Sequence, residues 1–175
     1  YVPKKYAKAK FWLNEFVSHC TKNSCSESPE MVSALIDLGD LYYETDHYDT
    51  AVESYEKAYS IQMKMHCSPS DTAVEILKRI SHTYYFVFVM KSAKTADNSK
   101  EKSVEAAEKA HEMNLKMYAP ESTQSYYSLF FLAAICSKVK NYDRSAKLFE
   151  RCLELSKALY GEFDRETIII TVKLA

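Results

Sequence analysis

Histidine and cysteine are the residues in this sequence that could hold a metal ion or act as nucleophiles, and each occurs five times. Two local clusters combine them, His19-Cys20 with Cys25 five residues later, and His66-Cys67. A structural zinc site usually draws on motifs such as Cys-x2-Cys with a matching pair elsewhere, and the sequence has none. Neighbouring residues of a helix also point about 100° apart, so His19 and Cys20 are not expected to share an ion. We therefore expect no metal site and no cofactor.

Catalytic signatures are equally scarce. Cys136 and Cys152 fall on positions of a helical pattern that take buried side chains, where a free cysteine behaves as a small apolar residue. A cysteine nucleophile needs a basic partner and an activated thiol, and no pattern places one. Gly39 and Gly161 are the two glycines, so a phosphate loop or a dinucleotide-binding fingerprint cannot be formed. The sequence predicts a protein that is not an enzyme.

Charge and composition also indicate which classes of partner and which cellular compartment to expect. The 23 basic and 24 acidic residues give a net charge of -1, which does not favour binding to nucleic acid or to an acidic membrane. The odd number of cysteines and the lack of a signal peptide and of an Asn-x-Ser/Thr sequon indicate a reducing, cytoplasmic compartment. Because the chain begins at Tyr1 rather than at methionine, we expect it to be a fragment of a longer protein.

The elements that would position any site are predicted to be helices. Glycine and proline together number 6, whereas average usage predicts about 21 in this length, and hairpin turns depend on glycine. Apolar residues recur at intervals of three and four, which is the period of amphipathic helices. The polar stretch 91–100 is predicted to be a loosened helix end and a loop. The predicted helices cover residues 4–21, 29–45, 48–66, 70–92, 100–118, 121–138, 142–160 and 164–175.

The sequence also repeats itself. A segment that begins at Leu35 recurs at Leu77 and again at Leu129, which are offsets of 42 and 52 residues. Its apolar, small and aromatic positions correspond as Leu35, Leu38, Gly39, Tyr42; Leu77, Ile80, Ser81, Tyr84; and Leu129, Leu132, Ala133, Cys136. A second segment follows each copy, with matching positions Ala51, Tyr55, Ala58; Ser103, Ala107, Ala110; and Ser145, Phe149, Cys152. Small residues at these spacings let two antiparallel helices approach closely, so each copy is predicted to be a helix pair.

The first copy has the spacing Leu-x-x-Leu-Gly-x-x-Tyr followed by Tyr-x-x-Ala-x-x-x-Tyr-x-x-Ala, which resembles the tetratricopeptide repeat. The long period of about 42 residues is similar to that of the kinesin-light-chain variety. This resemblance implies an all-α fold, in which antiparallel helix pairs stack into a right-handed superhelix, an α-solenoid, within one domain.

The resemblance also divides the chain. Residues 1–28 are expected to form a helix that ends a preceding repeat or caps the array. Three repeats are expected over residues 29–68, 69–119 and 120–161, with an insertion near 91–100 in the second. Residues 162–175 would be the first helix of a truncated fourth repeat, and its isoleucines are expected to pack on the third pair or to self-associate.

Stacking places the first helix of each pair on a concave face, and equivalent residues then line one groove. Exposed aromatic residues next to a lysine favour binding to a protein segment that carries acid. The competing interpretation is that neighbouring helices or flanking protein cover these aromatic residues. The predicted groove residues are Ile36, Asp40, Tyr43, Lys78, His82, Tyr85, Tyr127 and Phe130.

The predicted function is a non-catalytic interaction module or scaffold that binds a peptide or helical segment of another protein, without nucleic acid or membrane. The kinesin-light-chain resemblance implies an adaptor in a cytoskeletal or transport assembly. A clamp for the acidic tails of chaperones is disfavoured, because Ile36 and Asp40 are wrong in type for it. The alternative is a structural or regulatory helical-repeat segment of a larger multidomain enzyme, packed against its catalytic domain.

Overall fold

The computed structural model describes residues 4–23, 25–66, 68–90 and 93–174. Regular structure in these ranges is entirely α-helical, as predicted, and none of these helices is long and apolar enough to cross a lipid bilayer. The helices are α1 (Lys4–Lys22), α2 (Pro29–Glu44), α3 (Tyr48–Met65), α4 (Asp71–Met90), α5 (Ala93–Met117), α6 (Thr123–Lys138), α7 (Tyr142–Tyr160) and α8 (Arg165–Leu174).

Serine hydroxyls fix where the first helices of the pairs begin. Ser28 accepts a hydrogen bond from the backbone N–H of Met31 at 3.2 Å, and Pro29 occupies the first position of α2. Ser70 accepts in the same way from the N–H of Ala73 at 3.2 Å and so caps α4. Ser122 does the same for α6. These caps keep the predicted starts of all three helices within two residues of the observed ones.

The predicted loop at 91–100 is wrong for residues 93–100, which form the beginning of α5. The sequence of this stretch is mostly polar, so it contains no apolar periodicity that would have predicted a helix. The helix continues nonetheless, and α5 reaches 25 residues. The extra residues of this repeat therefore add about two turns to the start of α5 instead of forming a loop.

The helices stack as a solenoid. Each helix packs on the next one along the chain, and α4 also contacts α6 across the second pair. The antiparallel pairs are α2–α3, α4–α5 and α6–α7, and they form the right-handed superhelix that was predicted. This arrangement brings the first helices α2, α4 and α6 side by side on one face.

Within the first pair, a glycine allows the two helices to touch. A Cβ atom added to Gly39 would lie 2.5 Å from Cε1 of Tyr55, whose ring covers that point of α2. Tyr55 is 2% exposed, and Ala51, one turn earlier on α3, is completely buried. The close approach of α2 to α3 therefore depends on the missing side chain at Gly39.

The other two pairs use serine at the equivalent contact. Ser81 and Ser103 are completely buried and exchange hydrogen bonds, since each hydroxyl donates to the other residue's carbonyl oxygen at 2.7 Å. In the third pair the hydroxyl of Ser145 donates to the carbonyl of Ala133 at 2.9 Å. Each buried hydroxyl thus has a partner, and the bonds link the two helices of a pair directly.

The last helix, α8, packs on the third pair through one side. Ile170 is fully buried in the core formed with Tyr126, Leu129 and Phe149. Ile168 faces away, with half of its side chain exposed. The expected packing of α8 on the third pair is present, and its self-association stays a prediction.

Candidate partner-binding groove

The concave face carries two adjoining open depressions. The first has a volume of about 540 Å³ and is lined from α2, α3, α4 and α6. The second has a volume of about 620 Å³ and also takes residues from α2, α4 and α6. Glu75, Lys78 and Arg79 line both, so the two depressions form one groove along the first helices.

Most of the predicted groove residues meet in this groove. The first depression contains four of them, Asp40, Tyr43, Lys78 and His82. The second contains Ile36 and Tyr127, together with Lys78. Tyr85 lies beside the first depression, with its ring stacked on His82 at 6.3 Å between centroids.

Phe130 lies elsewhere. Its ring makes an edge contact with Phe149 at 5.6 Å and a tilted one with Tyr126 at 6.3 Å, so it packs against the core of the third pair. It lines neither depression. In an idealised stack the side chain at this position faces the groove. Here the side chain of Phe130 points toward α7 and is not part of the groove.

Arg79, which the sequence analysis did not identify, connects two acidic residues at the base of the groove. Arg79 Nε donates to Asp40 at 3.1 Å, and its guanidinium also donates to Glu75 at 2.7 Å. Asp40 accepts a second hydrogen bond from the hydroxyl of Tyr55 at 2.5 Å. Burial and this bond raise the pKa of Tyr55 well above the ordinary tyrosine value. Arg79 could have been noticed from its spacing of four residues from Glu75, which suits a helical ion pair.

Lys78 keeps most of its charge available. Its ammonium lies 3.9 Å from Glu75, at the outer limit of an ion pair, whereas Arg79 approaches the same carboxylate at 2.7 Å. Partly exposed pairs of this kind contribute about 0–1 kcal/mol to stability. The ammonium of Lys78 could therefore pair with a carboxylate of a partner with little loss of folding stability.

Aromatic rings surround His82 at one end of the groove. Phe86, which the sequence analysis missed, makes edge contacts with His82 at 5.0 Å, Tyr43 at 5.5 Å and Tyr85 at 5.3 Å. It also stacks on Tyr48 at 5.4 Å. We call these five residues the aromatic cluster. Phe86 follows His82 by four residues, and this spacing on a helix was the signal available in the sequence.

His82 is held neutral within this cluster. Lys138 Nζ lies 3.3 Å from Nε2 of His82, and the hydroxyl of Tyr43 lies 3.3 Å from Nδ1. An ammonium only donates, so Nε2 accepts and the proton of the neutral ring sits on Nδ1. Burial, and then the charge of Lys138, lower the pKa of His82. Lys138 also lies over the ring of Tyr85, 5.0 Å from its centroid.

Acidification is expected to destabilise the groove through His82. Because the folded state lowers the pKa of His82, the unfolded chain binds the proton more readily. The stability that neutral His82 contributes is present above pH about 6.5 and is lost as the pH falls below that value. We expect the free energy of unfolding, measured by urea titration, to fall more steeply between about pH 7 and pH 5 in the wild type than in His82→Gln. Equal slopes would show that His82 is not held neutral.

The buried cysteines do not form a reactive centre. Cys136 and Cys152 are completely buried, and burial raises the pKa of Cys152 to about 12 and also raises that of Cys136. Both thiols therefore stay protonated at neutral pH, and a protonated thiol is a weak nucleophile.

One geometric expectation does not hold at the end of α1. The ligand atoms of His19, Cys20 and Cys25 all lie within 4.8 Å of one another, although the first two are neighbours on a helix. Side-chain torsions compensate for the divergence of the two Cα–Cβ bonds. The second histidine–cysteine cluster, at His66, cannot be compared, since Cys67 lies outside the described residues.

The fold and its repeats match known proteins. Two tetratricopeptide-repeat family models match residues 32–62 and residues 128–159, which correspond to α2–α3 and α6–α7. A Podosopora anserina putative kinesin light chain with nearly identical TPR-like repeats is 19% identical with a TM-score of 0.73, covering 89% of this chain and 69% of that chain. BtubC (BKLC) from P. vanneervenii is 17% identical with a TM-score of 0.66, covering 99% of this chain and 64% of that chain. No curated protein sequence matches the chain.

The repeat pattern, the helix pairs and the comparisons agree with one another. Tetratricopeptide repeats generally mediate contacts between proteins and are typically non-catalytic. The chain therefore contains tetratricopeptide repeats at residues 32–62 and 128–159, and it has the fold of kinesin-light-chain-like repeat proteins.

Proposed function

We propose that this domain is a non-catalytic scaffold that binds a peptide or helical segment of a partner protein in the groove. The observation that carries the proposal is the continuity of the groove, in which Lys78 lines both depressions and the aromatic cluster closes one end. Concave surfaces that combine apolar rings with a few polar groups are where tight contacts concentrate.

The chemistry of the groove favours a particular kind of segment. Tyr43, Tyr85 and Tyr127 offer rigid aromatic area, which orders at low entropic cost when a partner binds. Lys78 and Lys138 add positive charge on the same face, while Arg79 is already engaged by Asp40 and Glu75. A segment with apolar side chains next to an aspartate or glutamate is the best complement.

The setting of this activity is part of the proposal. Cys20, Cys25, Cys136 and Cys152 are free thiols, which suits a reducing, cytoplasmic compartment. The structural neighbours include a putative kinesin light chain, and this likeness supports an adaptor role in a cytoskeletal or transport assembly. Buried, protonated thiols at Cys136 and Cys152 support the absence of catalysis.

Two single substitutions in the groove are each expected to weaken capture of the partner. Lys78→Glu places a carboxylate where the partner's acid would lie, and Tyr85→Ala removes an aromatic contact, so each should weaken binding at least about tenfold, which is roughly 1.4 kcal/mol. The measurement is quantitative affinity capture from cell extract, followed by titration of the captured protein against the purified variants. Circular dichroism must show unchanged helicity.

Two matched controls make this test specific to the groove. Lys147→Glu makes the same charge change at an exposed lysine on α7, outside both depressions, and should bind normally. A photoreactive phenylalanine analogue at Tyr127, inside the groove, should crosslink to the partner, whereas the same group at the exposed Tyr142 on α7 should not. Partners that bind Lys78→Glu and Lys147→Glu equally well would refute binding in the groove.

A further inference from the structure

Three potential metal ligands converge at the end of α1, outside the groove. His19 and Cys20 lie in the last turn of this helix, and Cys25 lies in the segment that leads to α2. One imidazole nitrogen and two thiol sulfurs all lie within 4.8 Å of one another. None of the three residues lines the groove.

Backbone hydrogen bonds bring Cys25 back to the helix. The backbone N–H of Asn23 donates to the carbonyl of His19 at 3.1 Å, and its side-chain amide donates to the same oxygen at 3.0 Å. The N–H of Cys25 donates to the carbonyl of Asn23. Its thiol also points at the carbonyl of Cys20, at 3.7 Å. The fold of this segment, rather than a sequence motif, therefore sets the positions of the ligands.

The three side chains differ in burial in a way that suits a bound ion. Cys20 is 3% exposed and belongs to the first core cluster, Cys25 is partly buried against that cluster, and His19 is exposed. We propose that His19, Cys20 and Cys25 bind one thiophilic metal ion, Zn²⁺, between the end of α1 and the start of α2. The two sulfurs hold the ion from the protein side, the imidazole holds it from the solvent side, and the fourth position is left to water.

The ligand set selects this class of ion. Thiolates and imidazole prefer soft or borderline cations such as zinc, whereas magnesium and calcium prefer oxygen ligands. Bonds of about 2.3 Å to sulfur and about 2.0–2.1 Å to nitrogen place tetrahedral ligand atoms roughly 3.5–3.8 Å apart. The present spacing needs to shrink by about 1.3 Å at most, which rotation of the cysteine and histidine side chains supplies.

Charge also balances in the bound state. Both thiols give their protons to solvent as the two sulfur–zinc bonds form, and no electron changes hands. Two thiolates then neutralise the divalent ion, so no net charge is left at the edge of the core. The bound ion would join α1 to the segment that begins the first helix pair, and this link should stabilise the N-terminal end of the domain.

The proposal is tested by titrating the 175-residue chain with Zn²⁺ under a non-thiol reductant, and with Co²⁺ as a spectroscopic substitute. We expect one ion per chain, thiolate-to-cobalt charge-transfer absorption, and a melting temperature that is higher with Zn²⁺ than with a chelator. Cys25→Ser should weaken binding by at least about 100-fold, the upper end of what losing even an outer-shell partner costs. His19→Ala should weaken it as well, whereas His66→Ala, at another exposed histidine, should not.

A second measurement does not depend on how the variants fold. In the wild type, Zn²⁺ should slow alkylation of Cys25 at least about tenfold, as read by mass spectrometry, because a metal-bound thiolate is blocked. Equal binding by wild type and Cys25→Ser, or alkylation that Zn²⁺ leaves unchanged, would overturn the proposal. Formation of a Cys20–Cys25 disulfide that Zn²⁺ does not prevent would overturn it too.

Discussion

Ala51→Arg is expected to destabilise the first helix pair strongly. Ala51 is completely buried in the core between α2 and α3, so the longer side chain has no space and its charge has no partner there. The cost should be about 3–5 kcal/mol, a large part of the 5–15 kcal/mol that stabilises a typical domain. Circular dichroism during urea unfolding should show the loss.

A matched control isolates burial as the cause. Ser60→Arg introduces the same side chain at an exposed position of the same helix, α3, and should change stability by no more than about 0.5 kcal/mol. Because solenoid repeats contact mainly their neighbours, hydrogen exchange in Ala51→Arg should rise first in α2 and α3. Similar melting of the two arginine variants would contradict the assignment of Ala51 to the core.

Gly39→Ala is expected to destabilise the domain, although alanine is the better helix former. Helix propensity favours alanine by about 1 kcal/mol, but overpacking a closed contact costs about 1–3 kcal/mol. The new Cβ would lie 2.5 Å from the ring of Tyr55, which cannot swing away because it is buried and its hydroxyl is bonded to Asp40. The clash should therefore outweigh the gain in propensity.

A double-mutant cycle separates these two effects. Tyr55→Leu removes the ring, and in that background Gly39→Ala should become neutral or stabilising by up to about 1 kcal/mol. The coupling free energy between the two positions should then be about 2 kcal/mol, measured by urea unfolding of all four proteins. A coupling near zero would mean that the ring does not limit the approach of α2 to α3.

The helices could be predicted because helix packing and capping require particular residue types at particular positions of the sequence. Ser28 and Ser70 cap helices within two residues of the predicted starts, and the repeat of small residues identified the pairs. The beginning of α5 has no comparable sequence signal. Residues 93–100 are polar, and their helical state follows from the extension of an already nucleated helix rather than from an apolar face.

The groove was predicted to the extent that the repeats are equivalent. Asp40 and His82 occupy corresponding positions of the successive first helices α2 and α4, and stacking brought them into one depression with Tyr43. Phe130 broke this equivalence, because the third pair turns it toward its own core. Lys138 comes from a later turn of α6 and reaches His82 only through the three-dimensional twist of the stack, which a linear repeat does not encode.

The packing of each helix on its neighbours along the chain has a mechanical consequence. A pulling force applied to the two ends meets the helix pairs in series, because each helix packs mainly on its neighbours along the chain. Such a stack extends by opening pairs one after another, and it absorbs work over a long distance instead of failing at a single point. Two hydrogen bonds between Ser81 and Ser103 join α4 directly to α5, so we expect extension to begin at the outer pairs.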